Sequence, residues 1–181
     1  MITRAVFSAG SNVGDRLAHL TSVVDRFADE VIAVSRVYST PPWGGVDQDD
    51  FYNIILIVEG EREPDDWLTI GAELERAADR VREIRWGPRT LDVDVIAVEA
   101  DGKAVVSDDE HLTLPHPRAE QRAFVLVPWH EIDSDATLRT TDGEVPIADL
   151  IDRLDPADRD GVVAVADVPV ADRSASKVVN R

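Results

Sequence analysis

The sequence has no cysteine. That excludes disulfides, zinc–thiolate sites, iron–sulfur clusters and a thiol nucleophile. Lysine is almost missing as well, with Lys103 and Lys177 its only instances. Neither sits in a glycine-rich loop. Gly10-Ser11-Asn12-Val13-Gly14 lacks the Gly-Lys-Ser/Thr ending of a Walker loop and the spacing of a dinucleotide fingerprint. No apolar run approaches the roughly 20 residues that span a bilayer. The start, Met1 to Gly10, has Arg4 but no long apolar segment and no cleavage-site pattern, so neither a membrane segment nor a secretory signal is expected. The expected location is cytoplasmic. Positive charge is scarce: 19 basic residues face 36 acidic ones, a formal net charge of −17. A surface this negative repels polyanions, so nucleic-acid binding is not expected.

What is present is a balance of 44% hydrophobic and 30% charged residues over 181 positions, enough for one soluble domain with a real core. The charge is uneven. His130 to Asp172 holds twelve acidic residues against three arginines, whereas Arg80, Arg82, Arg85 and Arg89 fall within ten residues. A basic knot in an acidic chain points to a small anionic ligand held at one place.

The periodicity predicts a strand over Ile2–Ser8. A turn at Gly10–Asp15 carries helix-start residues, and a helix runs from about Asp15 to Glu30 with Leu17, Leu20, Val24 and Phe27 on one face. Ile32–Ser39 reads as a second strand, Thr40–Gly45 as a Pro/Gly loop, and Phe51–Glu59 as a third strand. Pro64 to about Arg80 reads as a second helix, and Leu91–Val98 as a fourth strand after the break at Gly87-Pro88. This βαββαβ order predicts an α+β, ferredoxin-like antiparallel sheet with both helices on one face. Further on, Leu112–Pro117 reads as an irregular edge, Ala119–Arg122 as a short helix leading into Ala123–Val127, and Ile147–Leu154 as another short helix. Residues 1–156 are expected to form a single domain. Residues 157–181 form an acidic, Val-rich C-terminal extension of unknown role, as either a late strand or a loose tail.

Asp92 and Asp94 lie two residues apart in the fourth strand. Period two puts both carboxylates on one face and Leu91, Val93 and Val95 on the other. Neighbouring carboxylates repel, and a divalent cation relieves this; hard oxygen donors suit Mg²⁺, usually held by one or two carboxylates plus substrate phosphates. A plain solvated strand face is the competing reading. Arg80, Arg82, Arg85 and Arg89 immediately precede the pair, and guanidinium forks match phosphate oxygens. Acids and arginines together describe a site for a polyphosphate. His116, held between Pro115 and Pro117, offers a donor for a phosphate or a leaving group, or is structural. Phe51, Phe124 and Asn53 offer stacking and an amide to a flat heterocycle, or belong to an ordinary core face.

Taken together, the segments Ser8–Asp15, Val34–Gly44, Asp50–Asn53, Arg85–Asp94, Leu114–Pro117 and Arg122–Phe124 resemble the hydroxymethyldihydropterin pyrophosphokinase family of folate biosynthesis. The resemblance runs from Ala5 to about Trp129. It implies transfer of pyrophosphate from MgATP to the hydroxymethyl group of 6-hydroxymethyl-7,8-dihydropterin, with release of AMP. It implies that Asp92 and Asp94 hold two Mg²⁺ ions. Arg80 and Arg89 act with them in catalysis, and Glu75, Arg82, Arg85, Trp86, Arg89, Val95, Leu112, Thr113, His116 and Arg122 surround ATP. Thr40, Pro42, Trp43, Phe51, Asn53 and Phe124 form the pterin pocket, with Phe51 and Phe124 sandwiching the ring. Trp43 departs from a usually aliphatic family position, and His111 from a basic one in some members. The expected partners are the two small-molecule substrates and no membrane, with a monomer in contact at most with other enzymes of the pathway. A non-catalytic nucleotide-binding module and a metal-dependent phosphohydrolase stay open as rival classes.

Overall fold

The computed structural model describes residues 1–42, 47–78 and 90–169. The chain begins with β1 (Ile2–Ser11) and α1 (Arg16–Arg26), whose first turn is capped by Asp15 accepting from the Ala18 N–H at 3.0 Å. There follow β2 (Val31–Val34), β3 (Val37–Thr40), β4 (Phe51–Glu61) and α2 (Pro64–Ala77). Pro64 at the first turn of α2, and Asp66 accepting from the Glu63 N–H at 2.8 Å, start that helix where the sequence places it. Then come β5 (Asp92–Ala100), β6 (Lys103–Ala104), β7 (Ser107–Asp108) and β8 (Thr113–Leu114). A 3₁₀ turn (Ala119–Gln121) leads into α3 (Ala123–Ile132). The chain ends with a hairpin of β9 (Thr137–Thr140) and β10 (Gly143–Pro146), then α4 (Ile147–Arg153), α5 (Pro156–Asp160) and β11 (Val163–Ala166). No helix among the described residues is long and apolar enough to cross a membrane.

The main sheet has seven strands in the order β11-β3-β4-β1-β5-β6, with β2 also pairing β4, and every pairing is antiparallel. The predicted βαββαβ unit is its centre. One difference in the strands has a physical cause. The single strand expected over Ile32–Ser39 is two strands, because Ser35 accepts from the Ile55 N–H through its side chain at 2.9 Å and shifts the register on β4. The Val-rich segment forms a strand over Val163–Ala166, and it adds to the sheet edge beside β3.

Alternation assigns the two faces of the sheet. Ala5, Phe7 and Ala9 of β1, Ile54, Leu56 and Val58 of β4, and Val93 and Val95 of β5 pack under α1 and α2. Leu20, Val23, Val24 and Phe27 cover them from α1, and Trp67, Ile70 and Leu74 from α2. Both of these helices therefore lie on one face, as expected. The other face is covered as well: Val6, Ile55, Ile57 and Ile96 pack against Val125, Leu126 and Trp129 of α3, Leu138 and Val145 of the hairpin, and Ile147 and Leu150 of α4. This third layer explains why Ile54–Val58 is an unbroken buried apolar run rather than an alternating one.

Candidate active site

Odd-numbered residues at the start of β5 go into the α1/α2 core, so Asp92 and Asp94 project from the opposite face, where α3 packs. In β1 and β4 that same face carries Ser8 and Gly10, and Phe51 and Asn53. The register puts Ser8 opposite Asp94, and Gly10 between Asp92 on one side and Asn53 on the other. At the end of β3, Thr40 pairs with Phe51. Four neighbouring strands, β3, β4, β1 and β5, thus line up Thr40, Phe51, Asn53, Gly10, Asp92 and Asp94 in one row across a single face.

The start of α3 stands over one end of this row. Arg122, the residue that precedes the helix, places Nη1 3.3 Å from Asp94 Oδ2 and Cζ 5.5 Å from the centroid of the Phe124 ring. His116 is pinned above β5 by its backbone N–H, which donates to the Ile96 carbonyl at 2.8 Å. Its Nδ1 accepts from the Arg118 N–H at 3.2 Å, so the neutral ring carries its proton on Nε2, which lies 4.0 Å from Asp94 Oδ2. Burial pushes the His116 pKa down, against the pull of Asp94, and keeps the ring neutral. Burial, followed by the charge of Asp92, pushes the Asp94 carboxyl up; His116 and Arg122 only partly offset this.

At the other end of the row, Asn53 Nδ2 donates to Thr40 Oγ1 at 2.7 Å, and both residues are buried. A Cβ at Gly10 would stand 2.5 Å from Asn53 Oδ1 and 3.7 Å from Phe51 Cδ1, so only glycine leaves room for this amide. On the far side of β5, Glu75 of α2 accepts from the Val93 N–H at 2.9 Å, which holds the strand between the two acids.

The structure thus brings Asp92, Asp94, His116 and Arg122 together, and sets Thr40, Phe51 and Asn53 beside them. It places other residues differently. The side chains of Val95 and Leu112 belong to the α1/α2 core, away from the face of the acids, and Thr113 is exposed on β8. Trp43, Arg80, Arg82, Arg85, Trp86 and Arg89 lie outside the described residues. Sequence reasoning missed Ser8 and Gly10 as the floor of the site; period two along β1 was the available signal, but without the register it does not say which strand faces which.

Among the described residues, no group of three or more His, Asp and Glu side chains is arranged around a common point. The donor set is instead two hard carboxylates, one of them crowded toward protonation. That suits a divalent ion completed by phosphate oxygens rather than an all-protein cage.

Residues 6–134 match the family model described as 7,8-dihydro-6-hydroxymethylpterin-pyrophosphokinase (HPPK). The chain belongs to this family. The 2-amino-4-hydroxy-6-hydroxymethyldihydropteridine pyrophosphokinase of Mycobacterium tuberculosis is 49% identical over 167 residues, covering 89% of each chain. The protein of the same name from Methylorubrum extorquens is 42% identical over 160 residues, covering 86% of this chain and 96% of its own. That of Bacillus subtilis is 36% identical over 148 residues, covering 77% and 86%. The fold is similar to that in the crystal structure of Plasmodium falciparum HPPK-DHPS, with a TM-score of 0.60 at 12% identity, over 83% of this chain and 44% of the other. This chain therefore spans less than half of that protein. As a member of the family, the enzyme transfers a pyrophosphoryl group to hydroxymethyldihydropterin in folate biosynthesis.

Proposed function

We propose that the row from Thr40 to Asp94 is the substrate track of this transfer, with the pterin at the Thr40–Asn53 end and the ATP phosphates at the Asp92–Asp94 end. The single observation that carries this reading is the shared face: a buried amide and an aromatic ring on β4 and a paired carboxylate on β5, with a guanidinium and a neutral imidazole above the carboxylates. Asp92 and Asp94 are the residues that would hold Mg²⁺, two ions with ATP; bound there, the metal would neutralise triphosphate charge and acidify the attacking hydroxyl. Arg122 offers its planar fork to phosphate oxygens, and His116 its Nε2–H. Asn53, fixed by Thr40, presents its amide to the pyrimidine edge of the pterin, and Phe51 and Phe124 supply stacking surfaces.

The pterin hydroxyl attacks the β-phosphorus of ATP in line, and AMP leaves. Little covalent work falls to the protein; orientation and neutralisation of charge supply the rate. The arginines at 80, 82, 85 and 89 complete the phosphate side of this reading, as the family resemblance implies. A neutral His116 donates a hydrogen bond from Nε2–H without adding a full charge next to Arg122.

Incubation of the protein with MgATP, with and without 6-hydroxymethyl-7,8-dihydropterin, tests the reading. AMP and a pyrophosphorylated pterin are expected only when both substrates are present. Release of phosphate without pterin would identify a phosphohydrolase, and no product in either case would identify a binding module. Phe124→Ala is expected to weaken pterin binding far more than nucleotide binding in calorimetry; equal losses would reject the stacking role.

A further inference from the structure

A cavity of about 310 Å³ opens at the end of β3 and has three walls. Thr40 and Pro42 form one wall and Phe124 the second; the third is built by Ala157, Gly161 and Val162, from α5 and the turn after it. We propose that this C-terminal segment is a wall of the pterin pocket, and that the small residues Ala157 and Gly161 set the room beside the ring. The proposal rests on the reading that Thr40, Pro42 and Phe124 hold the pterin. It adds residues that the family match, which ends at residue 134, does not reach.

The wall is well held. Asp155 caps α5 by accepting from the Ala157 N–H at 2.8 Å, Pro156 starts the helix, and the Gly161 N–H donates to the Ala157 carbonyl at 3.0 Å. Immediately afterwards Val163 pairs with Ser39, one residue before Thr40. Two walls of the cavity are therefore joined through one strand pairing and hold a fixed spacing. Space on the C-terminal wall is short: a Cβ at Gly161 would stand 3.1 Å from the Ala157 carbonyl oxygen and 3.7 Å from Pro41 Cδ. A volume of this order suits a small flat ligand. A third side would shield the ring from part of the solvent and help to keep the hydroxymethyl group oriented for attack.

Ala157→Leu tests the wall. Position 157 is exposed in α5 and leucine is a good helix former, so the fold is expected to persist. Extra carbon atoms in a close-fitting pocket change binding by about 10- to 200-fold. The KM for pterin is therefore expected to rise about tenfold or more, with the KM for ATP changed less than about twofold. An unchanged pterin KM, or equal rises for pterin and ATP, would overturn the proposal. Should the leucine variant fail to fold, Val162→Ala only removes atoms from the wall; it is expected to weaken pterin affinity measured calorimetrically with a non-hydrolysable ATP analogue, and an unchanged affinity would equally overturn it. A parent enzyme that makes no pyrophosphorylated pterin refutes the functional reading, whereas an active parent with an indifferent Ala157→Leu variant refutes the wall alone.

Discussion

Arg122 Nη1 lies 3.3 Å from Asp94 Oδ2, so the cation proposed for phosphate is paired with an acid proposed for metal. The guanidinium partly neutralises a carboxylate that burial and Asp92 push toward protonation. On the proposed reading, bound MgATP would give the acid a metal and the guanidinium phosphate oxygens in place of this pair.

Asp94→Asn separates catalysis from stability. The raised Asp94 pKa means that the folded state binds this proton more tightly than the unfolded chain does. Its favourable contribution is full below the unfolded value, about 3.9, and is lost as pH rises through the folded pKa. The neutral amide removes that loss while its oxygen still accepts from Arg122. The variant is expected to melt at or above the parent temperature at pH 7, with the difference closing below about pH 4. Turnover is expected to fall by about two to three orders of magnitude, the range for losing one group that neutralises transition-state charge. MgATP should raise the melting temperature of the parent but not of the variant. Thermal scans with and without MgATP, alongside AMP formation, check all three.

Gly10→Ala tests the floor of the track. The new methyl would meet Asn53 Oδ1 at 2.5 Å, so the amide must rotate away and break its bond to Thr40. The pterin KM is expected to rise about tenfold or more, as for loss of a hydrogen-bonded recognition group, with a smaller change for ATP. Steady-state kinetics varying each substrate in turn is the measurement. A variant whose pterin KM equals that of the parent would show that Asn53 does not read the pterin.

Much of this arrangement was legible in the residues because it is local. Asp15 and Pro64 start their helices where their side chains and ring geometry dictate. Period two alone puts Asp92 and Asp94 on one face. What escaped was decided by partners distant in sequence. The break at Ser35 is set by its bond to Ile55, twenty residues away. The hairpin of β9 and β10 buries chiefly Leu138 and Val145 within an acid-rich stretch, so it gives almost no alternating signal. The Val-rich segment around Val163 has strand composition, but only β3 supplies the edge it joins. The row from Thr40 to Asp94 depends on three registers, none of which is written in any one strand.

Tyr38→Phe reports on the joint between β3 and α3. The Tyr38 hydroxyl donates to Glu131 Oε2, while Arg36 donates to Glu131 Oε1 from its backbone N–H at 3.3 Å and from Nε at 3.1 Å. This ties the strand that ends at Thr40 to the helix that begins beside Phe124. Burial, helped by Glu131, pushes the Tyr38 pKa up to about 12. The neutral phenol is then the folded form, so its contribution is full below the unfolded value near 10 and is lost between about pH 10 and 12. Denaturant titrations of the parent are expected to show falling stability across that window, with a shallower fall in Tyr38→Phe. Absorbance titration should lose the phenolate step near 12 in the variant. Retention of that step would mean that Tyr38 titrates elsewhere.

Glu75 stands behind the acids rather than among them. Its Oε1 accepts from the Val93 N–H at 2.9 Å, and Val93 is the residue between Asp92 and Asp94. Removing the acceptor leaves a buried N–H unpaired, at a cost of about 1–3 kcal/mol. It also frees the strand that aims both carboxylates, so Glu75→Ala is expected to lower both stability and kcat. Glu75→Gln keeps a carbonyl oxygen in place and is expected to restore most of each. Direct contact with the nucleotide makes the opposite forecast: Glu75→Gln would raise the KM for ATP with stability unchanged. Denaturant melts together with ATP-dependent kinetics on the two variants therefore decide whether this carboxylate positions the strand or touches the nucleotide, and restoration by glutamine is the outcome that the Val93 bond requires.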